Sequence, residues 1–280
     1  MKVHLVIPDT QVKPGVPVDH LGWIGRYIID YKPDTIVHLG DHADFPSLST
    51  YDKKKSTFHG RRYREDVFAA KEGWRELNQP INDYNKKRRE FREKQYKPDM
   101  HMLLGNHEDR VSRALAEDAV TLEGMIGLDQ IGYEDYGWTV HPFLRPIVID
   151  GIHYAHYFYN PMSGKPYGGN NLELRLKNIG HSFTMGHQQG KLIAERHLSD
   201  GSTQRGLVVG SCYLHDEDYK GFQANHHWRG IIVKHEVRGG NYDLMEVSLD
   251  FLCRKYEQMR LSKFLQEKYP ELETVLKEAA

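Results

Sequence analysis

"TIVHLGDHAD", residues 35–44, decides how this chain is read. Its first five residues make a strand-length run, mostly β-branched or leucine, that ends at Gly40 and Asp41. A continuous apolar run of this kind suits a strand buried on both faces, and glycine supplies the tight turn after it. The design recurs in VHLVIPD (3–9), HMLLGN (101–106) and SFTMGH (182–187), with proline in place of glycine in the first. Each segment ends in a residue with ligand chemistry: Asp9, Asp41, Asn106 and His187. Open α/β sheets gather their ligands beyond the carboxyl ends of their strands, so these four are expected on one edge of one sheet.

Around these strands the chain reads as α/β. A short helix is expected between Gly22 and Tyr31, ended by Lys32-Pro33. Residues 61–96 read as one or two helices, broken near Asn78-Gln79-Pro80. Because 52–97 is far longer than an ordinary connection, it is read as an insertion. It carries 15 Lys+Arg against 8 Asp+Glu, a net of +7 in a chain whose total is −1. Such a run is either a solvated helical face or a basic lid over the site. Further on, PIVIDGIHYAHYFY (146–159) reads as a hairpin about Asp150-Gly151, and RGLVVGSCYL (205–214) as a strand. GIIVKHEVRGGNYDLMEVSL (230–249) reads as a hairpin turning at Gly239-Gly240-Asn241. From Phe251 apolar residues recur at helical spacing. The expected division is therefore a domain over 1–250 and a C-terminal helical extension over 251–280, which offers packing or a homo-oligomer contact.

Composition narrows the class. At 280 residues the chain can bury a substantial core. Its two cysteines, Cys212 and Cys253, form neither a disulfide framework nor a CxxC pair, which fits a reducing compartment such as cytoplasm. The N-terminus lacks the apolar region of a signal peptide, and no run approaches the ~20 residues of a membrane span, so no membrane partner is expected. There is no P-loop, no GxSxG, no HExxH and no dinucleotide-binding glycine fingerprint.

In order, the polar motifs are DTQ (9–11), GDHAD (40–44), GNHEDR (105–110), a histidine in GIHYAHYF (151–158), and GHQQ (186–189). This series resembles the calcineurin-like metallophosphoesterases, whose pattern is D-x-H, G-D-x-x-D, G-N-H-E/D, H and G-H-x-H. GDHAD and GNHE together are its most specific part. The style of GNHEDR, and of the tail from GSCYL to Trp228-Arg229-Gly230, looks most like the versions carried by bacteriophages, which would place the protein in the host cytoplasm. The resemblance covers roughly residues 1–215 outside the basic insert. It implies a four-layer α/β/β/α sandwich, here with a helical insertion, holding two divalent ions.

Carried over residue by residue, Asp41 bridges the two ions. Metal A takes Asp9, Gln11, Asp41 and Gln189; metal B takes Asp41, Asn106, His156 and His187. His156 is preferred to His153 because it lies deeper in the strand, and their odd spacing lets only one face the site. His107 is the implied catalytic group beside the phosphate, oriented by Glu108 or Asp44. Arg110 is a phosphate contact or a helix cap, and His42 a substrate contact. His38, His101 and His181 read as packing or surface residues.

The sequence departs from the family pattern at Gln11 and Gln189, and both departures fall on metal A. Glutamine offers an amide oxygen where histidine offers nitrogen. An oxygen-only site favours Mn²⁺ or Mg²⁺, whereas the histidine site also suits Zn²⁺, Fe or Ni²⁺. The implied function is a metal-dependent phosphoester hydrolase using a metal-activated hydroxide. The basic insert favours a phosphodiesterase or nuclease acting on nucleic acid or nucleotides. The alternatives are a phosphomonoesterase, including a protein phosphatase, and a binding or regulatory protein of the same fold whose catalysis is weakened.

Overall fold

The computed structural model describes residues 1–52, 56–217 and 225–270. It is a mixed α/β structure. Strands β1 (Lys2–Ile7), β2 (Thr35–His38), β3 (Asp99–Leu103) and β4 (Thr139–His141) pair in parallel. A second group of strands runs β5 (Ile147–Ile149), β6 (Ile152–Ala155), β7 (Tyr159–Asn160), β8 (Lys165–Pro166), β9 (Phe183–Met185), β10 (Leu192–His197) and β11 (Thr203–Val208). β12 (Gly230–Arg238) and β13 (Asn241–Ser248) follow. The six-stranded sheet has the order β13-β12-β1-β2-β3-β4, and the five-stranded sheet β10-β11-β9-β6-β5; β7 and β8 form a small ribbon. Helix α1 (Asp19–Tyr31) links β1 to β2, and α2 (Tyr63–Glu90) links β2 to β3. The remaining α-helices among the described residues are α3 (Asp109–Glu117), α4 (Ala119–Leu122), α5 (Leu172–Ile179), α6 (Leu249–Glu257) and α7 (Leu261–Lys268).

Strand alternation explains the packing. Leu5 and Ile7 of β1 join a core with Ile24 and Ile28 of α1 and Trp74 and Leu77 of α2. Val6, between them in sequence, faces the other way and packs with Ile152, Tyr154 and Leu207 of the five-stranded sheet. A third cluster joins Leu172 and Leu176 of α5 to Phe183, Met185 and Val208. Both hairpins form as expected, about Asp150-Gly151 and Gly239-Gly240.

Two expectations about 52–97 are corrected. The helix does not break at Asn78-Gln79-Pro80: α2 is continuous, with Pro80 inside it. An interior proline costs roughly 3 kcal/mol in an isolated helix. Here packing offsets that cost, because Trp74, Leu77 and Ile81 are all buried in the core. Pro80 also lies where α1 approaches most closely. A Cβ on Gly25 would sit 2.3 Å from the Leu77 carbonyl oxygen and 2.9 Å from Pro80 Cγ, so only glycine admits this contact. Nor is the segment a separate lid, since α2 is a central helix packed on α1 and the six-stranded sheet.

The described part of the C-terminal segment packs on the rest of the chain, one of the two roles expected of it. Phe264 of α7 meets Trp23 edge to face, Trp23 Nε1 donates to Glu257 of α6 at 2.7 Å, and Lys268 and Tyr269 bond Asp19. The rest of the expected extension, 271–280, lies outside the described residues. Among the described residues no helix is long and apolar enough to cross a membrane.

Candidate metal centre

The expected convergence occurs, but across two sheets. Asp9, Asp41 and Asn106 follow β1, β2 and β3 of the six-stranded sheet, while His156 and His187 follow β6 and β9 of the five-stranded one. One ligand atom from each of Asp41, His156 and His187 lies within 4.8 Å of the others. His156 Nε2 is 2.9 Å from Asn106 Oδ1 and 3.2 Å from Asp41 Oδ2. The four residues expected at metal B therefore point at one place. His156 is the histidine that enters it; His153 instead stacks on His181, with ring centroids 3.6 Å apart.

His156 is prepared for ligation. Its Nδ1 donates to the Leu39 carbonyl at 2.8 Å, which turns Nε2 towards the cluster. Burial opposes charge on this ring, but Asp41 and Asp9 outweigh burial and hold its pKa up at about 9. The proton on Nε2 thus sits where a cation would replace it. Burial also penalises the Asp41 carboxylate, yet His107 and His156 together hold its pKa below the ordinary range.

The backbone here is strained to aim these side chains. Gln11, Asp41 and His187 all adopt positive φ, at 42°, 50° and 62°. The Gln11 amide donates to the Asp41 carbonyl at 2.9 Å, joining the two loops. Gly105 lets the loop after β3 close on Asp41, since a Cβ there would lie 2.1 Å from Asp41 Oδ1. Glu108, expected as an orienter of His107, has another task. It is fully buried and accepts from the amides of Asp41, Ala43 and Gly105 at 2.8–2.9 Å, which pins the loop.

Two of the residues expected at metal A, Asp9 and Gln11, are buried beside this cluster. Asp9 Oδ1 accepts from the His187 amide at 3.0 Å, while Asp9 Oδ2 and Gln11 Oε1 are buried without a hydrogen-bond partner. Two orphaned buried acceptors two residues apart fit a bound cation better than they fit an apolar core. Burial, with Asp41 adding to it, pushes the Asp9 carboxyl up to about 7. Gln189 is also buried, and its Oε1 accepts from the Tyr213 hydroxyl at 2.7 Å.

Asp44 is the residue that orients His107. Its Oδ1 lies 2.5 Å from His107 Nδ1, and His107 Nε2 faces Asp41 Oδ2 at 3.7 Å. Burial works against a charged His107, but Asp41 and Asp44 overcome it and raise its pKa to about 9. Arg110 is turned towards the same partner, with Nη1 donating to the Asp44 carbonyl at 2.6 Å and approaching Asp44 Oδ1 at 3.2 Å. Arg110 thus braces the Asp44–His107 pair at the edge of the cleft. His42 does not reach substrate space. It is fully buried against Trp74 and Tyr133, with Nδ1 on Thr10 Oγ1 and Nε2 on the Ala70 carbonyl, and burial holds it neutral with a pKa near 4.

A cleft of ≈ 920 Å³ opens beside His107, lined among others by Lys13, Asp44, Arg61, Arg62 and Arg110. Arg61 and Arg62, just before α2, reach it. The Lys86–Arg89 cluster does not: it lies in the last two turns of α2, about 30 Å along the axis from Glu65, which lines the cleft.

Sequence reasoning assigned no role to Ser211, Tyr213 or His227. Ser211 bridges Asp9 and Arg229 as a strand stub, and the Cys212 amide donates to the Asp9 carbonyl at 2.8 Å. The signal was present, because LVVGS (207–211) repeats the apolar-run, glycine, polar-residue design of the other segments.

No protein-family model matches this chain, and no curated protein matches it. Among solved structures, 38 chains match it. One of them aligns over 89% of this chain and 99% of its own length, at 12% identity and a TM-score of 0.35, a likeness too distant to carry an argument.

Proposed function

We propose that this protein is a metal-dependent phosphoester hydrolase with a two-metal site. The observation that carries the reading is the convergence of Asp41, His156 and His187 within 4.8 Å, beside the orphaned Asp9 and Gln11 oxygens. The three apolar clusters, one shared by the two sheets and one against helices on either side, support the four-layer α/β/β/α arrangement that the motif series implies. The B half would be held by Asp41, Asn106, His156 and His187, and the A half by Asp9, Gln11, Asp41 and Gln189. When bound, divalent cations would neutralise phosphate charge and acidify the attacking water.

The chain's own groups do the rest. Asp44 holds the Nδ1 proton of His107, so Nε2 is directed at the reacting region. His107 would deliver a proton from Nε2 to the leaving oxygen. Arg110 keeps Asp44 in place during that transfer. The cleft, with Lys13, Arg61 and Arg62 on its wall, has room for a second substituent on phosphorus, which favours a diester. Nucleic acid guided along Lys86–Arg89 loses its support, because that cluster lies at the far end of α2.

Metal-stripped protein supplied with Mn²⁺ tests this reading on bis(p-nitrophenyl) phosphate and p-nitrophenyl phosphate. Faster Mn²⁺-dependent turnover of the diester is expected. A preference for the monoester would make the chain a phosphomonoesterase, and turnover of neither would leave it a binding protein.

A further inference from the structure

Residue 189 raises a problem for the A half of the centre. A glutamine amide is nearly symmetric in shape, so a half-turn of its last torsion exchanges an oxygen that ligates cations for an NH₂ that cannot. Something must choose the oxygen. Tyr213 is placed to do so. Its hydroxyl donates to Gln189 Oε1 at 2.7 Å and lies 3.4 Å from His227 Nε2, which is itself 2.7 Å from Ser211 Oγ.

Tyr213 is firmly held. It is fully buried, with the Arg229 guanidinium 4.6 Å from its ring centroid on one contact and the His215 ring stacked at 4.7 Å on another. Arg229 is fixed in turn by Asp216 at 2.6 Å and by the His215 carbonyl at 2.8 Å. Ser211 pairs with Asp9 across a strand bridge, so the relay starts from the same backbone that carries the orphaned carboxylate.

Resting on the metal-centre reading above, we propose that Tyr213 is a positioning residue for the A half, locking Gln189 with its amide oxygen presented. A phenol that donates to Gln189 Oε1 can accept in turn from His227 Nε2, 3.4 Å away. An amide oxygen has two lone pairs, so accepting from Tyr213 is compatible with ligation. The relay does for an amide what a carbonyl or carboxylate does for a ligating histidine: it fixes which atom faces the cation.

The experiment is a Mn²⁺ titration of the metal-stripped full chain, read by the electron paramagnetic resonance of free Mn²⁺. Wild type is expected to bind two ions. Tyr213→Phe is expected to weaken one site by about 10–100-fold, the usual effect of losing an outer-shell partner, and to leave the other within two-fold. Adding Gln189→His to Tyr213→Phe should restore the weakened site, because imidazole is indifferent to the phenol. Two unchanged sites in Tyr213→Phe would overturn the relay while leaving the metal centre standing. An equal loss from Tyr213→Phe in the wild-type and Gln189→His backgrounds would mean general damage to the fold, and would also overturn it. A wild-type chain that binds no Mn²⁺ would remove the metal-centre reading itself.

Discussion

Replacing Asp9 by asparagine should stabilise the metal-free protein while disabling the metal centre. The Asp9 carboxyl is fully buried, and burial with the Asp41 charge raises its pKa from 3.8 to about 7. A carboxyl whose folded pKa is raised binds its proton more tightly in the folded state. Its ionisation therefore costs stability increasingly as pH rises from about 4 to about 7, and the cost is constant above that. Three pH units correspond to ~4 kcal/mol at 1.36 kcal/mol per unit. Asparagine is neutral and keeps the oxygen that accepts from the His187 amide, but it places an NH₂ where Oδ2 is unpartnered. That buried donor costs ~1–3 kcal/mol, leaving a net gain of roughly 1–3 kcal/mol at pH 8. At about 2–4 °C per kcal/mol for a domain of this size, Tm should rise by several degrees. The assay is thermal unfolding of chelator-treated wild type and Asp9→Asn at pH 5 and pH 8. The advantage of Asp9→Asn must be larger at pH 8, and Mn²⁺ must stabilise wild type more than the variant. A gap between the proteins that does not grow with pH would refute the argument that Asp9 is an unsatisfied buried charge.

Three further outcomes are expected. His107→Ala should lower turnover on the order of 10²–10³-fold while Mn²⁺ stoichiometry stays at the wild-type value, since His107 is proposed to act on substrate; loss of an ion on metal analysis would make it a ligand instead. Gln11→His with Gln189→His should shift metal preference from Mn²⁺ or Mg²⁺ towards Zn²⁺ or Ni²⁺, read by activity under each ion, and an unchanged order would remove the glutamines from the ligand set. Metal-free wild type should lose stability between about pH 6.5 and 9. The folded pKa values of His107 and His156 are raised to about 9, so the stability they confer is complete below 6.5 and lost as pH passes 9. Excess Mn²⁺ should flatten that decline, and a melting curve independent of pH over this window would contradict the charge assignments.

Much of the site was legible because it is written in local chemistry. Apolar runs closed by a turn fix where a strand ends, and Asp9, Asp41, Asn106 and His187 each follow such an end. His156 was preferred to His153 for its depth in the strand, alternation allowing only one of the two to face the site. What one sequence does not encode locally was misread. The motif series implied two sheets, but the residues alone put all four ligand-bearing strands on one, because β9 is three residues long and pairs with partners distant in sequence. Pro80 looked like a helix break because its local cost is plain, whereas the close contact with Gly25 that accommodates it is tertiary. Net charge made 52–97 look like an arm, although Trp74 and Leu77 in the same stretch are core residues. His42 looked accessible beside Asp41, but alternation along the loop turned it into the Trp74 and Tyr133 cluster. The Tyr213 relay depends on a residue 24 positions away, and no local spacing announces it.

The central claim is that Asp41 is shared by two ions that act together on a phosphoester. It is tested most directly by the rate at which Asp41→Asn hydrolyses bis(p-nitrophenyl) phosphate at saturating Mn²⁺, relative to wild type. The account predicts clear Mn²⁺-dependent turnover by wild type and a loss of about 10³-fold or more in the variant, because both halves of the centre lose their common charge. A variant rate within a few-fold of wild type, or a wild-type rate indifferent to Mn²⁺, would contradict it.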